Sequence, residues 1–226
     1  SARKEGAAFQ LTLGDGSREA FDRVIIATGG NKASGGLAIA TSFGHAIVAP
    51  VPSLFTFNIK DPRLADISGV SVEHVEASLV GTKLRTDGPL LVTHWGLSGP
   101  VILKLSAWGA REFADRGYRC EVAINWVPGA KREAILTQIT HLRQAEARKQ
   151  VGTFSPMPFP QRLWEKLIEA AGIPATTPWA HVTNAALQAL VAQLVDSRFA
   201  VDGKSTFKDE FVTCGGVKLA EVDFRT

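Results

Sequence analysis

The stretch Phe21-Asp22-Arg23-Val24-Ile25-Ile26-Ala27-Thr28-Gly29-Gly30 decides how the chain is read. Its centre, Val24 to Ala27, is uninterruptedly apolar and mostly β-branched. Such a run predicts a strand covered on both faces, as in the parallel sheet of an α/β domain. The run ends in small residues and a glycine pair. Ligands of open α/β sheets lie at the carboxyl ends of the strands. Glycine carries no Cβ, so backbone N–H groups there can face a phosphate. The other reading is a plain tight turn after a strand, since short glycine motifs recur by chance.

Working outward, Phe9, Leu11 and Leu13 alternate with polar residues before Gly14-Asp15-Gly16. That pattern predicts a hairpin feeding the Val24 run. Downstream, Leu37 to Phe43 predicts a short helix stopped by Gly44. From Ile47 to Val127 the pattern is β, with short segments at Ser53–Ile59, Val70–Val80 and Cys120–Trp126 between prolines and glycines. Strands this short and frequent predict a small barrel or sandwich. Within them, Pro100 opens a helical stretch to Ala114. From Pro128 to Ser197 the pattern is helical: Ala130–Val151, Gln161–Ala171 and Asn184–Asp196, the last with Thr183 as N-cap. After Arg198 it returns to β, with strands expected at Phe199–Val201 and Glu210–Thr213 and Gly215-Gly216 expected to break them. Compact units bring their ends together, so the helices read as an insert in the β region.

The chain has 226 residues, 45% of them hydrophobic and 21% charged, enough for a sizeable core and against wholesale disorder. A net charge of +3 is well short of a dedicated nucleic-acid binder. Two cysteines, Cys120 and Cys214, make no disulfide framework or metal-ligand spacing, and a reducing cytoplasm is expected. Residues 33–59 lack Asp, Glu, Lys and Arg, but glycines, prolines, His45 and Asn58 break them too often for a membrane span. The chain opens at Ser1 and its only methionine is Met157, so it is expected to be an excerpt of a longer chain.

Three further stretches carry reactive residue types. Thr93 to Gly99, THWGLSG, packs a hydroxyl, an imidazole, an indole and two glycines into a tight span. His94 suits acid/base work near neutral pH, or a hydrogen-bonded structural turn, and no carboxylate stands beside it in sequence. Ser98 lacks the G-x-S-x-G register of a nucleophile elbow. In Thr213-Cys214-Gly215-Gly216 the thiol is either a nucleophile or a small residue before a turn. Lys131, Arg132, Arg143, Arg148 and Lys149, with Trp126 and Trp164 flanking, could hold single-stranded nucleic acid or be a solvated helix face. Glu133 and Glu146 dilute that charge. His45, His74, His141 and His181 do not cluster as metal ligands, and no metal is expected.

Taken together, the motifs carry a resemblance. Val24–Gly30 resembles the second conserved segment of two-dinucleotide-fold flavoproteins. Ser42–Phe57 (SFGHAIVAPVPSLFTF), Thr93–Leu103 (THWGLSGPVIL) and Phe211–Thr226 (FVTCGGVKLAEVDFRT) occur in the same order in one family. They resemble the BaiN-like or aminoacetone-oxidase-like bacterial flavoproteins, the NAD(FAD)-utilising dehydrogenases. The resemblance implies an α+β multidomain fold: a β-barrel-like domain with an inserted helical domain, plus a sliver of a Rossmann-like FAD-binding domain. The implied boundaries are 1–46 for partial FAD-binding domain, 47–127 and 198–213 for barrel, 128–197 for helical insert, and 214–226 for the return to the FAD-binding domain. It implies that the family's G-x-G-x-x-G loop precedes Ser1 and its closing FAD segment follows Thr226. No G-x-G-x-x-G occurs in the 226 residues.

The implied function is that of an FAD-dependent oxidoreductase linked to NAD(P)H or oxygen, with the insert domains shaping the substrate cleft. Ala27, Thr28, Gly29 and Gly30 would line the adenosine–pyrophosphate side of FAD. Thr213, Cys214, Gly215 and Gly216 would lie near the flavin. No catalytic acid or base is assigned. NAD(P)H is a candidate co-substrate and a small molecule the expected substrate; nucleic acid and membrane are not expected partners. The fragment alone is expected to be inactive and to hold FAD weakly or not at all, so a micromolar dissociation constant in a titration would contradict that expectation. The alternative is a non-catalytic module that binds a protein or RNA.

Overall fold

The computed structural model describes residues 1–29, 35–204 and 212–225. In chain order the strands are β1 (Ala2–Glu5), β2 (Ala8–Thr12), β3 (Arg18–Phe21), β4 (Ile47–Pro52), β5 (Phe57–Asn58), β6 (Ser71–Leu79), β7 (Arg85–Thr93), β8 (Gly96–Ser98), β9 (Arg119–Asn125), β10 (Ser197–Asp202) and β11 (Thr213–Val217). The α-helices are α1 (Gly36–Ser42), α2 (Pro100–Trp108), α3 (Ala110–Asp115), α4 (Arg132–Ala145), α5 (Gln161–Ala170) and α6 (Asn184–Val195). They fall into two compact units: Ser1–Ser53 with Thr206–Thr226, and Leu54–Ser205.

The larger unit is built on a six-stranded antiparallel sheet ordered β10-β9-β6-β7-β8-β5. Its outer strands meet: Phe57 bridges Lys204, and the Asn58 N–H donates to Gly203 O at 3.0 Å. The sheet therefore curls into a nearly closed barrel, which leaves no long unpaired edge. β10 alternates strictly, with Ser197, Phe199 and Val201 buried. β6 shifts register between Val72 and Val75, opposite Gly88 and Leu90. Pro89 stands in that gap with no N–H to donate, the position a sheet tolerates. α2 starts at Pro100, buries Val101, Ile102, Leu105 and Ser106, and packs against β6, β7 and β8. Ser106 Oγ accepts the Phe55 N–H at 3.0 Å and donates to Leu103 O, which satisfies it inside the core.

Helices α4, α5 and α6 lie in sequence between the neighbouring strands β9 and β10. They share one unit and one hydrophobic core with the sheet. The Thr183 hydroxyl caps α6 by accepting the Ala186 N–H at 3.2 Å. α5 turns Leu163, Trp164, Leu167 and Ile168 inward at helical spacing, and Trp164 Nε1 donates to Val151 O at 2.9 Å.

A half-buried ion pair ties the barrel to α6. Arg63 donates from Nε and Nη2 to both Asp61 oxygens, at 2.9 and 2.7 Å. The same guanidinium reaches Gln193 Oε1 at 2.9 Å and Arg198 O, and lies 4.0 Å from the Phe199 ring centroid. Burial is the largest single influence on the Asp61 carboxyl and pushes it up. The Arg63 side chain, backbone N–H and charge together outweigh it and hold the group below the usual carboxylate range.

In the smaller unit, β1, β2 and β3 form an antiparallel sheet. Its β2–β3 turn is held by the Asp15 carboxylate, which accepts the Ser17 N–H and hydroxyl. β4 and β11 pair as a separate two-stranded sheet. Three expectations are corrected here. Val24 to Ala27 is not a doubly covered strand: it has no ladder among the described residues, and Ile25 is 91% exposed. A parallel strand needs a neighbour on each side to bury such a run, and none of the described strands stands there. Ile47–Pro52 pairs with β11 rather than with the barrel strands. Gly215 and Gly216 lie inside β11 rather than breaking it, because the bulge opposite Pro50 accommodates their positive φ of 135° and 129°. Gly30 and the start of the expected Glu210–Thr213 strand lie outside the described residues.

Candidate functional site

The smaller unit carries an open pocket of about 450 Å³. Ala27, Thr28 and Gly29 form part of its lining, and Thr213, Gly215 and Gly216 another. The fold thus brings together two segments that the sequence singled out more than 180 positions apart. Cys214 is not in the lining; it is half-buried and registers against Val51. The lining also includes Ile26, Gly36, Leu37, Ala40, Pro50 and Val217, none of which was a site candidate in the sequence.

Local chemistry explains how these pieces approach. A Cβ on Gly36 would sit 2.0 Å from Thr28 Oγ1 and 3.1 Å from Ile26 Cγ2, so the start of α1 lies against the 26–28 segment only because the residue is glycine. Gly29 takes a φ of 78°, and a Cβ there or at Gly216 would point into open space. The backbone is therefore bare where it faces the cavity. β4 and β11 supply the other wall. Pro50 needs no ladder donor and fits the register shift between Cys214 and Gly216.

The chain's return is pinned beside this wall. Glu221 Oε2 lies 3.0 Å from His45 Nδ1 and accepts the Ala46 N–H at 3.1 Å, while the Lys218 N–H donates to Ala46 O at 2.8 Å. The hydrogen bonds from His45 and then Ala46 hold the Glu221 carboxyl below its ordinary range. A carboxyl depressed in the folded state contributes stability above its unfolded pKa and loses it as pH falls through the folded value. Protection of the Ala46 amide against hydrogen exchange is therefore expected to fall on acidification through that range, and Glu221→Gln is expected to abolish the pH dependence. Equal pH dependence in the variant would contradict the assignment.

Among the described residues the cavity lining carries no charged side chain, and its side-chain donors are the hydroxyls of Thr28 and Thr213. Among the described residues no group of three or more His, Cys, Asp or Glu could hold a metal. Burial pushes the Cys120 thiol up to about 11 against a weaker pull from Arg116, which leaves it inert near neutral pH.

The remaining sequence candidates are placed differently. THWGLSG forms the β7–β8 hairpin and the entry to α2, and its glycines permit close packing. A Cβ on Gly96 would lie 2.4 Å from Phe57 O, and one on Gly99 2.9 Å from Leu91 N. Ser98 Oγ bonds Thr56 Oγ1 at 3.0 Å. His94 and Trp95 form the exposed two-residue turn. In the basic helical region Trp126 and Trp164 are buried, so no base can stack on either. Arg132 is engaged with Gln188, and Arg143 with Val182 O and Asn184.

A small antiparallel barrel carrying α4–α6 between two neighbouring strands is the architecture of one known class. Residues 51–212 match the HI0933-like protein barrel and H2TH domain, and the chain belongs to that family. Among curated relatives it is 30% identical to the Escherichia coli ribosomal RNA dihydrouridine synthase, over all of this chain and 55% of that protein. It is 27% identical to the 3-dehydro-bile acid delta(4,6)-reductase of Clostridium scindens, over 92% of this chain and 53% of that protein. It is 28% identical to the Haemophilus influenzae ribosomal RNA dihydrouridine synthase, over 90% and 49%. The chain thus spans about half the length of the curated relatives it matches. Among the described residues, no helix is long and apolar enough to cross a membrane.

Proposed function

We propose that this chain supplies part of an FAD-dependent oxidoreductase. The observation that carries the reading is the cavity lined jointly by Ala27–Gly29 and by Thr213, Gly215 and Gly216. Bare glycine backbone beside two hydroxyls fits a dinucleotide, whose polar groups are met by N–H donors where no Cβ intervenes. The smaller unit is then part of a Rossmann-like FAD-binding domain, with Gly30 and Cys214 continuing its two cofactor segments. The helical segment is the insert of the barrel, and barrel and helices together present the substrate-facing surface. Bound FAD would supply hydride transfer, with NAD(P)H as donor. The cavity residues position the cofactor; none is a proton donor.

Family membership and the reductase relative support this class. The names of the relatives narrow the reaction. Dihydrouridine formation and delta(4,6) reduction both add hydrogen across a carbon–carbon double bond. We read the reaction as reduction of such a bond conjugated to a carbonyl. Either a small molecule or a uridine base presents that bond. The relative matched over the whole chain is named for ribosomal RNA, which favours the RNA base.

The test uses the full-length gene product with NAD(P)H, offered ribosomal RNA lacking dihydrouridine and, separately, an unsaturated steroid ketone. A two-hydrogen mass gain in the RNA is expected. Gain in neither substrate would contradict the reaction class. In the same protein Gly216→Val is expected to lower flavin occupancy at least tenfold, because its side chain enters the cavity. Unchanged occupancy would move the cofactor elsewhere.

A further inference from the structure

α1 is a weak element on its own. It has seven residues, no side chain caps its start, and it buries only Gly36 and Ala40. So short a helix does not hold its shape in water without outside contacts. Yet Gly36, Leu37 and Ala40 form one wall of the glycine-lined pocket, and Gly215, Gly216 and Val217 on β11 form another. The spacing of these walls therefore depends on contacts made outside the helix.

The residues that join the walls are His45, Ala46 and Glu221. Where α1 ends, the His45 N–H donates to Ala40 O at 3.2 Å. Two residues on, Ile47 registers against Val217, the last residue of β11. The chain leaving β11 enters a 3-10 turn, Leu219–Glu221, which brings Glu221 back to the residues just before β4. The Glu221 carboxylate accepts the Ala46 N–H, with Oε1 at 3.3 Å and Oε2 at 3.1 Å, and Oε2 lies 3.0 Å from His45 Nδ1. The Ala46 carbonyl accepts the Lys218 N–H at 2.8 Å. Both backbone polar groups of Ala46 are thus taken by the segment that leaves β11. A charged acceptor makes a stronger hydrogen bond than a neutral one. The contacts hold the exit of α1 and the exit of β11 together, and none of these three residues is in the lining of the pocket.

We propose that Glu221 is a positioning residue: it clasps His45 and Ala46, and so fixes the spacing of α1 and β11 at which the pocket takes a dinucleotide. The proposal rests on the cofactor reading given above. Glu221 lies outside the pocket lining and acts by keeping the pocket in its binding shape. Where the clasp is lost, some molecules have the walls misplaced at any moment. The apparent dissociation constant then rises by the inverse of the fraction still competent.

The experiment titrates the full-length gene product, freed of any bound flavin, with FAD and follows the change in flavin absorption. Glu221→Ala is expected to raise the dissociation constant about threefold to tenfold, as when roughly a third to a tenth of the molecules are competent. Glu221→Gln is expected to restore most of the affinity, since its amide oxygen still accepts the Ala46 N–H. Arg119→Gln breaks another exposed ion pair, 3.1 Å from Asp202 on the barrel, and is expected to change nothing. Exposed pairs contribute little to stability, so thermal melts of the flavin-free variants are expected to coincide with that of the unaltered protein. If the unaltered protein binds FAD and Glu221→Ala binds it as tightly, the clasp is wrong and the cofactor reading stands. Equal loss of affinity in Glu221→Gln and Glu221→Ala also overturns the clasp. Should Glu221→Ala fail to fold, His45→Ala decides in its place: a weaker hold on FAD supports the clasp, and an affinity equal to that of the unaltered protein overturns it. If the unaltered protein takes up no FAD, the clasp and the cofactor reading both fall.

Discussion

Replacing Gly96 by alanine is expected to cost the barrel at least about 4 kcal/mol, in the exceptional range for one substitution. The added Cβ would lie 2.4 Å from Phe57 O and 2.6 Å from Ile59 N. Both are backbone atoms, one in the strand that pairs with β8 and one directly after it, so neither can swing aside. Gly96 also takes a φ of 144°, which side chains rarely adopt. Relief requires separating β5 from β8, and β5 also carries the contact that closes the sheet, Asn58 N–H to Gly203 O. For a domain of this size the loss corresponds to a fall in melting temperature of about 8–16 °C. Gly117→Ala is the contrast: a Cβ there meets nothing within 4 Å, although its φ of 60° adds a small strain. A circular-dichroism melt of both variants decides it. Equal melting temperatures would mean that the β5–β8 approach is looser than described.

Arg63→Met carries the second large effect, about 2–4 kcal/mol of destabilisation, a little under the cost of breaking a fully buried pair. The side chains of Asp61 and Arg63 are 19% and 14% exposed, so removing the guanidinium strands a carboxylate with little water to replace it. Gln193 Oε1, Arg198 O and the Phe199 ring lose their partner as well. The double variant Asp61→Asn/Arg63→Met is expected to recover much of the loss, because no unpaired charge remains. The pH dependence follows from the lowered Asp61 carboxyl. Its contribution is complete above the unfolded carboxylate pKa and is lost as pH falls through the lower folded value. In Arg63→Met that acid-side loss is expected to vanish. Urea unfolding of the unaltered protein and both variants at neutral and acid pH separates these cases. A double variant as unstable as Arg63→Met would show that packing over Phe199, rather than charge, dominates.

The sequence was most legible where a feature is local. Thr183 as a cap, Pro100 as a helix start, the Asp15 turn and the strand at Phe199–Val201 depend on residues close in the chain, and each stands where its chemistry places it. The barrel strands followed from short apolar segments between prolines and glycines. Features that depend on a distant partner were misread. An apolar run such as Val24–Ala27 implies burial, but burial needs neighbouring strands that local pattern does not supply. Gly215 and Gly216 look like breakers until β4 pairs with them around Pro50. Trp126 and Trp164 look available for stacking beside basic residues, yet helical spacing turns Trp164 inward with Leu163 and Leu167. Of the cavity, the glycine-bearing edges were legible. Gly36, Leu37 and Ala40 were not, since a short helix says nothing of what it faces.

The central claim is that the glycine-lined cavity belongs to a flavin site. Its most direct test is the visible absorption spectrum of the purified full-length gene product, before and after reduction with NAD(P)H or dithionite. The account predicts the two bands of an oxidised flavin, bleached on reduction and strongly diminished in Gly216→Val. A colourless protein that takes up no added FAD would contradict it.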